Sequence, residues 1–220
     1  MDISLFDVLG PVMIGPSSSH TAGAAKLART ARMIVGKPFT HVDFGLHGSF
    51  EKTYKGHGTD YALVAGVLGF REDDERLPES FRLAEEAGIT YTFYPIELDG
   101  AHENTVRITF TLTDGSKFFV QGSSLGGGRI LITNINGLVT EFTGTSPTII
   151  VNQNDQPGVV SDVSTILAFN HINIGVMKVT REAKGTLASC VIECDEPIPE
   201  EIAESLRRVN NVLSVQVINL

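Results

Sequence analysis

The C-terminal third of the chain alternates strand and helix patterns in an order that few folds accommodate. A β-branched run at Thr148–Asn152 is followed by a helical pattern that opens at Pro157-Gly158. Two strand patterns come next, Ile172–Thr180 and Thr186–Cys194, and then a second helix and a last strand, Val212–Ile218. Strand, helix, strand, strand, helix, strand is the order of the ferredoxin-like split motif. We therefore predict a ferredoxin-like domain in this part of the chain.

The segment before this domain has helix patterns early and strand patterns late. Helical spacing of apolar residues covers Ser4–Leu9, Thr21–Val35, Asp60–Phe70 and Glu79–Ala87. Strand patterns cover Thr40–Leu46, Thr90–Pro95, Val106–Leu112, Lys117–Gly122, Ile130–Ile135 and Val139–Phe142. This order favours an α+β domain with an antiparallel sheet over a doubly wound parallel sheet. The chain thus divides near Ser146-Pro147 into predicted domains of residues 1–146 and 148–220.

Charge and hydropathy argue against several classes of protein. The chain has 220 residues and a net charge of −9, with no basic run, which argues against nucleic-acid binding. No apolar run approaches the length that spans a membrane. The N-terminus, Met1–Ser4, lacks the basic and apolar regions of a signal peptide, so we expect a cytoplasmic protein.

The two cysteines, Cys190 and Cys194, lie in one predicted strand. Their even spacing places them on the same face as Ala188 and Ile192, which predicts burial. Residues at this spacing along a strand are roughly 13 Å apart, too far for a disulfide. Two cysteines are also too few for an iron–sulfur cluster, which is usually held by four thiolates. We therefore expect both side chains to act as small buried hydrophobic groups.

The run Gly15–Thr21 reads Gly-Pro-Ser-Ser-Ser-His-Thr and opens an amphipathic helix. Proline and serine are typical residues at the start of a helix. Free backbone N–H groups and the helix dipole favour an anion, such as a carboxylate or phosphate, at such an end. One serine is enough for a cap, so two interpretations stand. The run is either a redundant cap or an anion site built from Ser17, Ser18, Ser19 and His20.

Three further polar clusters lie in loops that contain glycine. Their histidines are His47 in Gly45–Phe50, His57 between Gly56 and Gly58, and His102 in Asp99–Asn104. The flanking glycines give His57 little local packing and allow a ligand to approach the backbone. Thr59 or Asp60 is expected to cap the helix that follows. A loop histidine is either solvated or available as a general base, and both interpretations stay open. His41 and His171 are interpreted as structural or solvent-facing.

A metal site and a hydrolytic triad are the competing chemistries for these histidines. No two of them have the i, i+4 spacing of a helical ligand pair, although a site built from three loops stays open. No Gly-x-Ser-x-Gly elbow occurs, and three adjacent serines suit ligand binding better than one activated nucleophile. Gly126-Gly127-Gly128 lies between two strand patterns without Gly-Lys-Ser/Thr. We interpret it as a turn or bulge rather than a phosphate loop.

The predicted C-terminal domain resembles an ACT domain, a small regulatory module that binds amino acids. The resemblance rests on Asn154–Gly158, which enters the first helix, and on Asn170–Ile174, which enters the second strand. It implies effector-binding positions at Asp155 and Asn173. The His and Asn typical of serine-binding members are replaced here by Gln153 and Asp155, so a domain that only mediates association is the alternative.

Three motifs together, Gly15–Thr21, Gly56–Asp60 and His102–Asn104, resemble those of the iron–sulfur-dependent L-serine dehydratases. The similarity covers the whole chain and is to the β subunit of the two-chain form. The third motif departs from the family's usual His-Pro-Asn because Glu103 replaces the proline. The N-terminal domain is also similar to the allosteric substrate-binding domain of some phosphoglycerate dehydrogenases.

The resemblance implies the deamination of L-serine to pyruvate and ammonia by a complex with a cysteine-bearing α subunit. In that family a 4Fe–4S cluster in the α-type chain acts as a Lewis acid on the substrate hydroxyl. This chain is therefore expected to supply no metal ligand and to be inactive alone. Contacts between β subunits are expected because ACT domains often pair. No nucleic-acid or membrane partner is expected.

The same resemblance assigns candidate roles to residues of this sequence. We hypothesise that His57 is the base that removes the α proton, or its close partner, with His20 and His102 as the other candidate catalytic residues. The candidate substrate-binding residues are Ser17, Ser18, Ser19, Thr21 and Asn104. Two alternatives stand beside this hypothesis. One is a purely regulatory amino-acid-binding subunit with all chemistry in the partner, and the other is a metal-dependent hydrolase built from the loop histidines.

Overall fold

The computed structural model describes residues 14–181 and 183–219. The chain divides into two compact units, residues 1–136 and 137–220. The predicted helix Ser4–Leu9 lies outside the described residues. Among the helices that the structure describes, none is long and apolar enough to cross a membrane.

The helices of the first unit start with a short π-helical turn, Ser18–Gly23, that runs directly into helix α1 (Ala24–Val35). Helix α1 ends at Gly36, whose left-handed φ of 58° lets its N–H donate to the Arg32 carbonyl. The helices that follow are α2 (Ser49–Thr53), α3 (Thr59–Leu68), a 3₁₀ turn (Leu77–Glu79) and α4 (Ser80–Glu86). The sequence analysis missed α2 because so short a helix shows no helical period.

Strands β1 to β5 form the sheet of the first unit, in the order β2-β1-β3-β4-β5. They span Phe39–Leu46, Thr90–Pro95, Thr105–Leu112, Lys117–Gly126 and Arg129–Ile135, and strand β6 (Leu138–Phe142) opens the second unit. The predicted α+β class is confirmed, with one departure from the antiparallel arrangement. Strands β1 and β2 are parallel, with His41 opposite Thr90. The chain between them forms α2, α3 and α4, and a parallel pair requires such a crossover connection.

Helices α1 and α3 approach each other so closely that only glycine fits at position 66 of α3. A Cβ built on Gly66 of α3 would lie 2.4 Å from the Ala25 carbonyl oxygen and 2.6 Å from the Ala28 Cβ, both on α1. The π-helical turn at the start of α1 contacts both α3 and β4. The tight helix pair therefore holds the serine-rich turn against the start of α3.

The second unit has the predicted order of strands and helices. Its further strands are β7 (Thr148–Asn154), β8 (Ile174–Arg181), β9 (Leu187–Cys194) and β10 (Val212–Ile218). Helix α5 (Val159–Phe169) and helix α6 (Glu200–Arg207) complete the motif. The sheet order is β10-β7-β9-β8 with antiparallel neighbours. This arrangement confirms the ferredoxin-like motif, whereas the domain division near Ser146-Pro147 stays a prediction.

The core of the second unit lies between the sheet and its two helices. Leu167 of α5 and Leu206 of α6 pack in one buried cluster with Ile149 of β7. Cys190 and Cys194 belong to the same cluster, each only 1% exposed, and both are free thiols. The predicted burial of the two cysteines is therefore confirmed.

The Gly66 contact predicts a large loss of stability when a methyl group is added there. Replacing Gly66→Ala forces a clash with the α1 backbone, and we expect the free energy of unfolding to fall by roughly 1–3 kcal/mol. The chain has 4 tyrosines, all in the first unit, and no tryptophan, so urea unfolding followed by tyrosine fluorescence reports on this unit.

The control for this measurement is Gly56→Ala, because the nearest atom to a Cβ at Gly56 is 3.7 Å away. We expect that change to alter the free energy of unfolding by less than about 1 kcal/mol. Equal effects of the two substitutions would contradict the assigned helix contact.

Candidate active site

The serine run begins a π-helical turn rather than an α-helical one. The Ser17 carbonyl accepts hydrogen bonds from the N–H of Thr21 at 2.9 Å and from the N–H of Ala22 at 3.3 Å. The second of these bonds has the i to i+5 spacing of a π-helix, a rare form that is frequent at functional sites. The Ser17 hydroxyl accepts from the His20 N–H at 3.1 Å. Ser17 is therefore the helix cap.

The other two serines of the run have different hydrogen-bond partners. Ser19 Oγ lies 3.1 Å from His20 Nδ1 and 3.4 Å from Ser17 Oγ. Ser18 Oγ accepts from the Gly127 N–H at 3.3 Å. Gly127 lies in the β4–β5 turn, where each residue of Gly126–Gly128 has a positive φ that glycine adopts readily. The hydroxyl groups are thus organised around His20 and this turn, which argues against a merely redundant cap.

His20 is the buried centre of the polar cluster. Its residue surface is 8% exposed, and its Nε2 lies 3.2 Å from Ser49 Oγ. The ring meets the rings of His57 and Phe50 edge to face, with centroid distances of 4.7 Å and 5.2 Å. Burial, followed by the nearby His57, lowers the pKa of His20 below 6.5. The lowered pKa favours the neutral ring, which has one donor nitrogen and one acceptor nitrogen.

The His57 loop is fixed through its backbone. Thr21 Oγ1 donates to the His57 carbonyl at 3.0 Å and ties the loop to the π-helical turn. The Nδ1 atom of His57 is buried and has no hydrogen-bond partner among the described residues. Because a buried polar atom without a partner is costly, this nitrogen points to a bond supplied by a ligand or another chain.

The start of α3 differs from the sequence expectation. Gly58 is the cap residue, with a left-handed φ of 67°, and no side chain caps the helix. The expectation that Thr59 or Asp60 caps α3 is therefore wrong. Asp60 instead accepts from the Tyr61 N–H at 2.9 Å. The left-handed conformation at Gly58 turns the chain sharply into α3, and glycine adopts it without strain.

The loop His102–Asn104 is held against α2 by one backbone carbonyl. The Glu103 carbonyl accepts from the Ser49 N–H at 2.8 Å and from the Phe50 N–H at 3.4 Å. Gly48 permits this approach, since its φ is 59° and a Cβ there would lie 2.7 Å from the same oxygen. The contact uses the Glu103 carbonyl and not its exposed side chain. Every residue type has this backbone carbonyl, so glutamate in place of the family's proline keeps the contact with α2.

Within this loop the two candidate side chains have different surroundings. His102 is exposed, and its Nδ1 accepts from the Asn104 N–H at 3.1 Å. Asn104 Oδ1 is buried and has no partner in the part of the chain that the structure describes. The Asn104 carbonyl accepts from the Ser124 N–H at 2.9 Å, which fixes the loop to β4. Asn104 thus presents a second unsatisfied buried acceptor, while His102 faces solvent.

Ser49 is the site residue that the sequence analysis did not assign. Its hydroxyl faces His20 and its N–H binds Glu103, so it joins the serine run to the third motif. The sequence feature that could have revealed Ser49 was the polar turn Gly45–Phe50, to which the sequence analysis assigned no function. His47, the more conspicuous residue of that turn, uses Nδ1 within 3.3 Å of the Ile96 carbonyl and the Leu98 N–H and is structural.

An open cavity of about 610 Å³ lies beside α2. Its lining residues are His47, Gly48, Glu51, Lys52 and residues 95–99. That lining includes no residue of Ser17–Thr21 and not His57, so the buried polar cluster is separate from the cavity.

The two candidate effector residues lie at opposite ends of the second sheet. Asp155 follows β7 and accepts from Arg181 Nη1 at 3.1 Å and from the Gly185 N–H at 2.9 Å. Asn173 precedes β8 and donates to Asp195 at 2.7 Å. The length of strand β9 separates the two ends, a distance of roughly 20 Å. One small effector cannot contact both residues of the same chain.

The described residues offer few side chains that could bind a metal ion or cluster. The described ranges 14–181 and 183–219 contain no group of three or more His, Cys, Asp or Glu side chains that could hold a metal ion. Burial raises the pKa of both Cys190 and Cys194 to about 11. Both thiols are therefore protonated at neutral pH, whereas iron binds thiolates. These residues do not fit an iron–sulfur cluster.

Comparisons with known proteins point to one family. The family described as "Serine dehydratase beta chain" matches residues 4–94, and the ACT domain family matches residues 148–211. The chain is 42% identical over 220 residues to the L-serine dehydratase, beta chain, of Peptoniphilus asaccharolyticus, covering 100% of this chain and 99% of that protein. It is 42% identical over 212 residues to the probable L-serine dehydratase, beta chain, of Bacillus subtilis (strain 168), covering 96% of each. L-serine dehydratase 2 of Escherichia coli (strain K12) is 31% identical over 153 residues, covering 59% of this chain and 33% of that protein.

The lowered pKa of His20 predicts that the first unit loses stability on acidification. Below pH 6.5 the unfolded chain takes up a proton at this residue that the folded chain resists, so the free energy of unfolding falls. Replacing His20→Asn is expected to weaken this pH dependence. The measurement is urea unfolding by tyrosine fluorescence at pH 5.5 and pH 7.5.

The matched control is His102→Asn, since asparagine at this exposed position can still accept the Asn104 N–H in an Asx turn. We expect it to keep the pH dependence of the original chain. An unchanged pH dependence in the His20→Asn variant would show that burial of His20 does not govern its protonation.

Proposed function

Because the chain belongs to the family of L-serine dehydratase beta chains and carries an ACT domain, we propose that it is the β subunit of a two-chain enzyme that converts L-serine to pyruvate and ammonia. The observation that carries this proposal is the unpartnered, buried Nδ1 of His57 beside His20 and the serine hydroxyls. The alignment with L-serine dehydratase 2 of Escherichia coli covers 33% of that protein, which supports a separate partner chain for the remainder.

The proposed chemistry needs a base at the α carbon of serine. An α proton is only weakly acidic, so its removal requires a placed base and electrostatic help for the developing carbanion. In this proposal His57 Nδ1 accepts the α proton, because this nitrogen has no hydrogen-bond partner among the described residues. Thr21 holds the His57 carbonyl, so Thr21 positions the base.

The serine run supplies the donors that a substrate carboxylate needs. Ser17, Ser18 and Ser19 place three hydroxyl groups at the positive end of the helical segment that continues into α1. Asn104 Oδ1 is a buried acceptor without a partner in the described chain, and it suits the ammonium group of an amino acid. In this assignment His102 stabilises its own loop and does not contact the reacting atoms, because its Nδ1 accepts from the Asn104 N–H.

The iron–sulfur cluster expected for this family is assigned to the cysteine-bearing α subunit. The support is the donor set of this chain, in which both cysteines are buried, protonated thiols on one strand of the second unit. When bound in the partner, such a cluster supplies Lewis-acid chemistry for the substrate hydroxyl. This chain then contributes the base, the carboxylate donors and the ammonium acceptor.

Pairing of two β subunits through their ACT domains is part of the same proposal. Asp155 and Asn173 lie roughly 20 Å apart in one chain, so a single effector reaches both only where two copies meet. An effector at Asp155 must also replace the hydrogen bonds from Arg181 and Gly185.

The complex predicts that activity requires both subunits. We expect anaerobic co-expression with a cysteine-bearing α chain to yield pyruvate from L-serine, measured by a coupled assay, and this chain alone to yield none. Anaerobic handling protects an exposed cluster. Pyruvate formation by this chain alone would contradict the division of roles.

Replacing His57→Ala in the assembled enzyme separates a catalytic from a regulatory subunit. If His57 is the base, kcat at saturating L-serine falls by about two to four orders of magnitude. The control is His171→Asn, an exposed position with a φ of 57° that asparagine tolerates. A kcat close to that of the unmodified enzyme, with only assembly or activation altered, would instead assign a regulatory role.

A further inference from the structure

Ser49 belongs to the polar cluster but has no role in the function proposed above. Its N–H donates to the Glu103 carbonyl at 2.8 Å, and its own carbonyl accepts from Thr53 Oγ1 at 2.8 Å. These two bonds fix the first residue of α2. The remaining polar group, the hydroxyl, lies 3.2 Å from Nε2 of the buried His20. Its placement is therefore set by the backbone on both sides.

His20 connects this hydroxyl to the serine run through both of its ring nitrogens. The chain of groups runs Ser17, Ser19, His20, Ser49, with separations of 3.4 Å, 3.1 Å and 3.2 Å. A neutral imidazole donates from one nitrogen and accepts at the other. The His20 tautomer therefore sets the direction of both of its bonds. Either Nδ1–H donates to Ser19 while Ser49 donates to Nε2, or Ser19 donates to Nδ1 while Nε2–H donates to Ser49.

The two directions differ in which end offers a free proton. In the first, Ser49 donates to Nε2 and Nδ1–H donates to Ser19. Because only one proton is shared between the Ser17 and Ser19 hydroxyls, the other proton of this pair is free. In the second, Ser17 donates to Ser19, Ser19 donates to Nδ1, and Nε2–H donates to Ser49, which leaves the Ser49 proton free. The His20 tautomer distinguishes the two directions.

We propose that Ser49 is a positioning residue that acts through His20. It fixes the ring beside His57, and it donates to Nε2 when a carboxylate occupies the serine run. The second statement rests on the proposed function, which places the carboxylate of L-serine at that run. A carboxylate accepts hydrogen bonds and donates none, so it favours the direction that leaves a free donor at Ser17 or Ser19.

Removing the Ser49 hydroxyl has a specific consequence for catalysis. Nε2 of His20 loses its partner, and the ring that packs at 4.7 Å from His57 loses one of its two anchors. Ser49 does not contact the substrate in this scheme, so its loss affects the chemical step more than binding. We expect Ser49→Ala to lower kcat about tenfold and to change KM less than about twofold in the assembled enzyme.

Two further variants make the kinetic test specific. Ser49→Thr keeps a hydroxyl at the same position, and we expect it to restore most of kcat. Lys52→Gly lowers the helix propensity of α2 at an exposed position, and the Lys52 side chain makes no hydrogen bond to Ser49 or His20 in the described part of the chain, so we expect kcat to stay near that of the unmodified enzyme. Equal losses in Ser49→Ala and Lys52→Gly would assign the effect to helix α2 and overturn the proposal.

The His20 tautomer is read directly by long-range ¹H–¹⁵N spectra of the full chain labelled with ¹⁵N-histidine. We expect added L-serine to place the His20 proton on Nδ1, and Ser49→Ala to abolish that preference. Identical His20 nitrogen shifts in Ser49→Ala and the unmodified chain would overturn the role of Ser49. If L-serine changes no ¹⁵N chemical shift of His20 in the unmodified chain, the proposed binding of a carboxylate at the serine run is wrong. The ligand-free spectra of Ser49→Ala then still decide whether Ser49 positions the ring.

Discussion

The buried imidazole of His20 requires a hydrogen-bond partner at each ring nitrogen, and much of the first unit is arranged to provide them. Ser19, the preceding residue, supplies one partner, and Ser49, 29 residues further on, supplies the other. Ser49 is held in turn by the Glu103 carbonyl, and Gly48 leaves room for that carbonyl. Three segments that are distant in the sequence therefore meet because one polar ring is buried among them.

Close packing of helices holds this polar cluster in place. Gly66 lets α3 lie against the backbone of α1, and Gly23 leaves space for Ser124 of β4 beneath the π-helical turn. Within this rigid frame, His57 Nδ1 and Asn104 Oδ1 stay buried and unpaired among the described residues. Thr59 Oγ1 and Ser124 Oγ are likewise buried and without a partner among the described residues. A well-packed structure that leaves such polar atoms unsatisfied is organised for bonds that the described residues do not supply. That property is the physical basis of our proposal that substrate and a second chain complete the site.

The second unit shows the opposite character. Its core of aliphatic side chains from β7, α5 and α6 also takes in both cysteines, whose burial raises their pKa and removes them from metal chemistry. Asp155 and Asn173 are hydrogen-bonded to residues of neighbouring segments of the same unit and lie at opposite ends of the sheet. These features fit the proposed pairing of two copies better than chemistry within one copy.

The periodicity of the sequence by itself determined the ferredoxin-like order after residue 147, most strands and helices of the first unit, and the burial of Cys190 and Cys194. These features follow from local backbone geometry and from which face of each element is apolar. Only the tertiary structure decided that β1 and β2 are parallel, that Ser49 faces His20, and that Glu103 acts through its carbonyl. It also showed that Asn104 Oδ1 is buried whereas His102 is exposed, although the sequence analysis had placed both residues in one motif. The reason is that such contacts depend on how distant backbone segments cross, and no local pattern of side chains encodes that crossing.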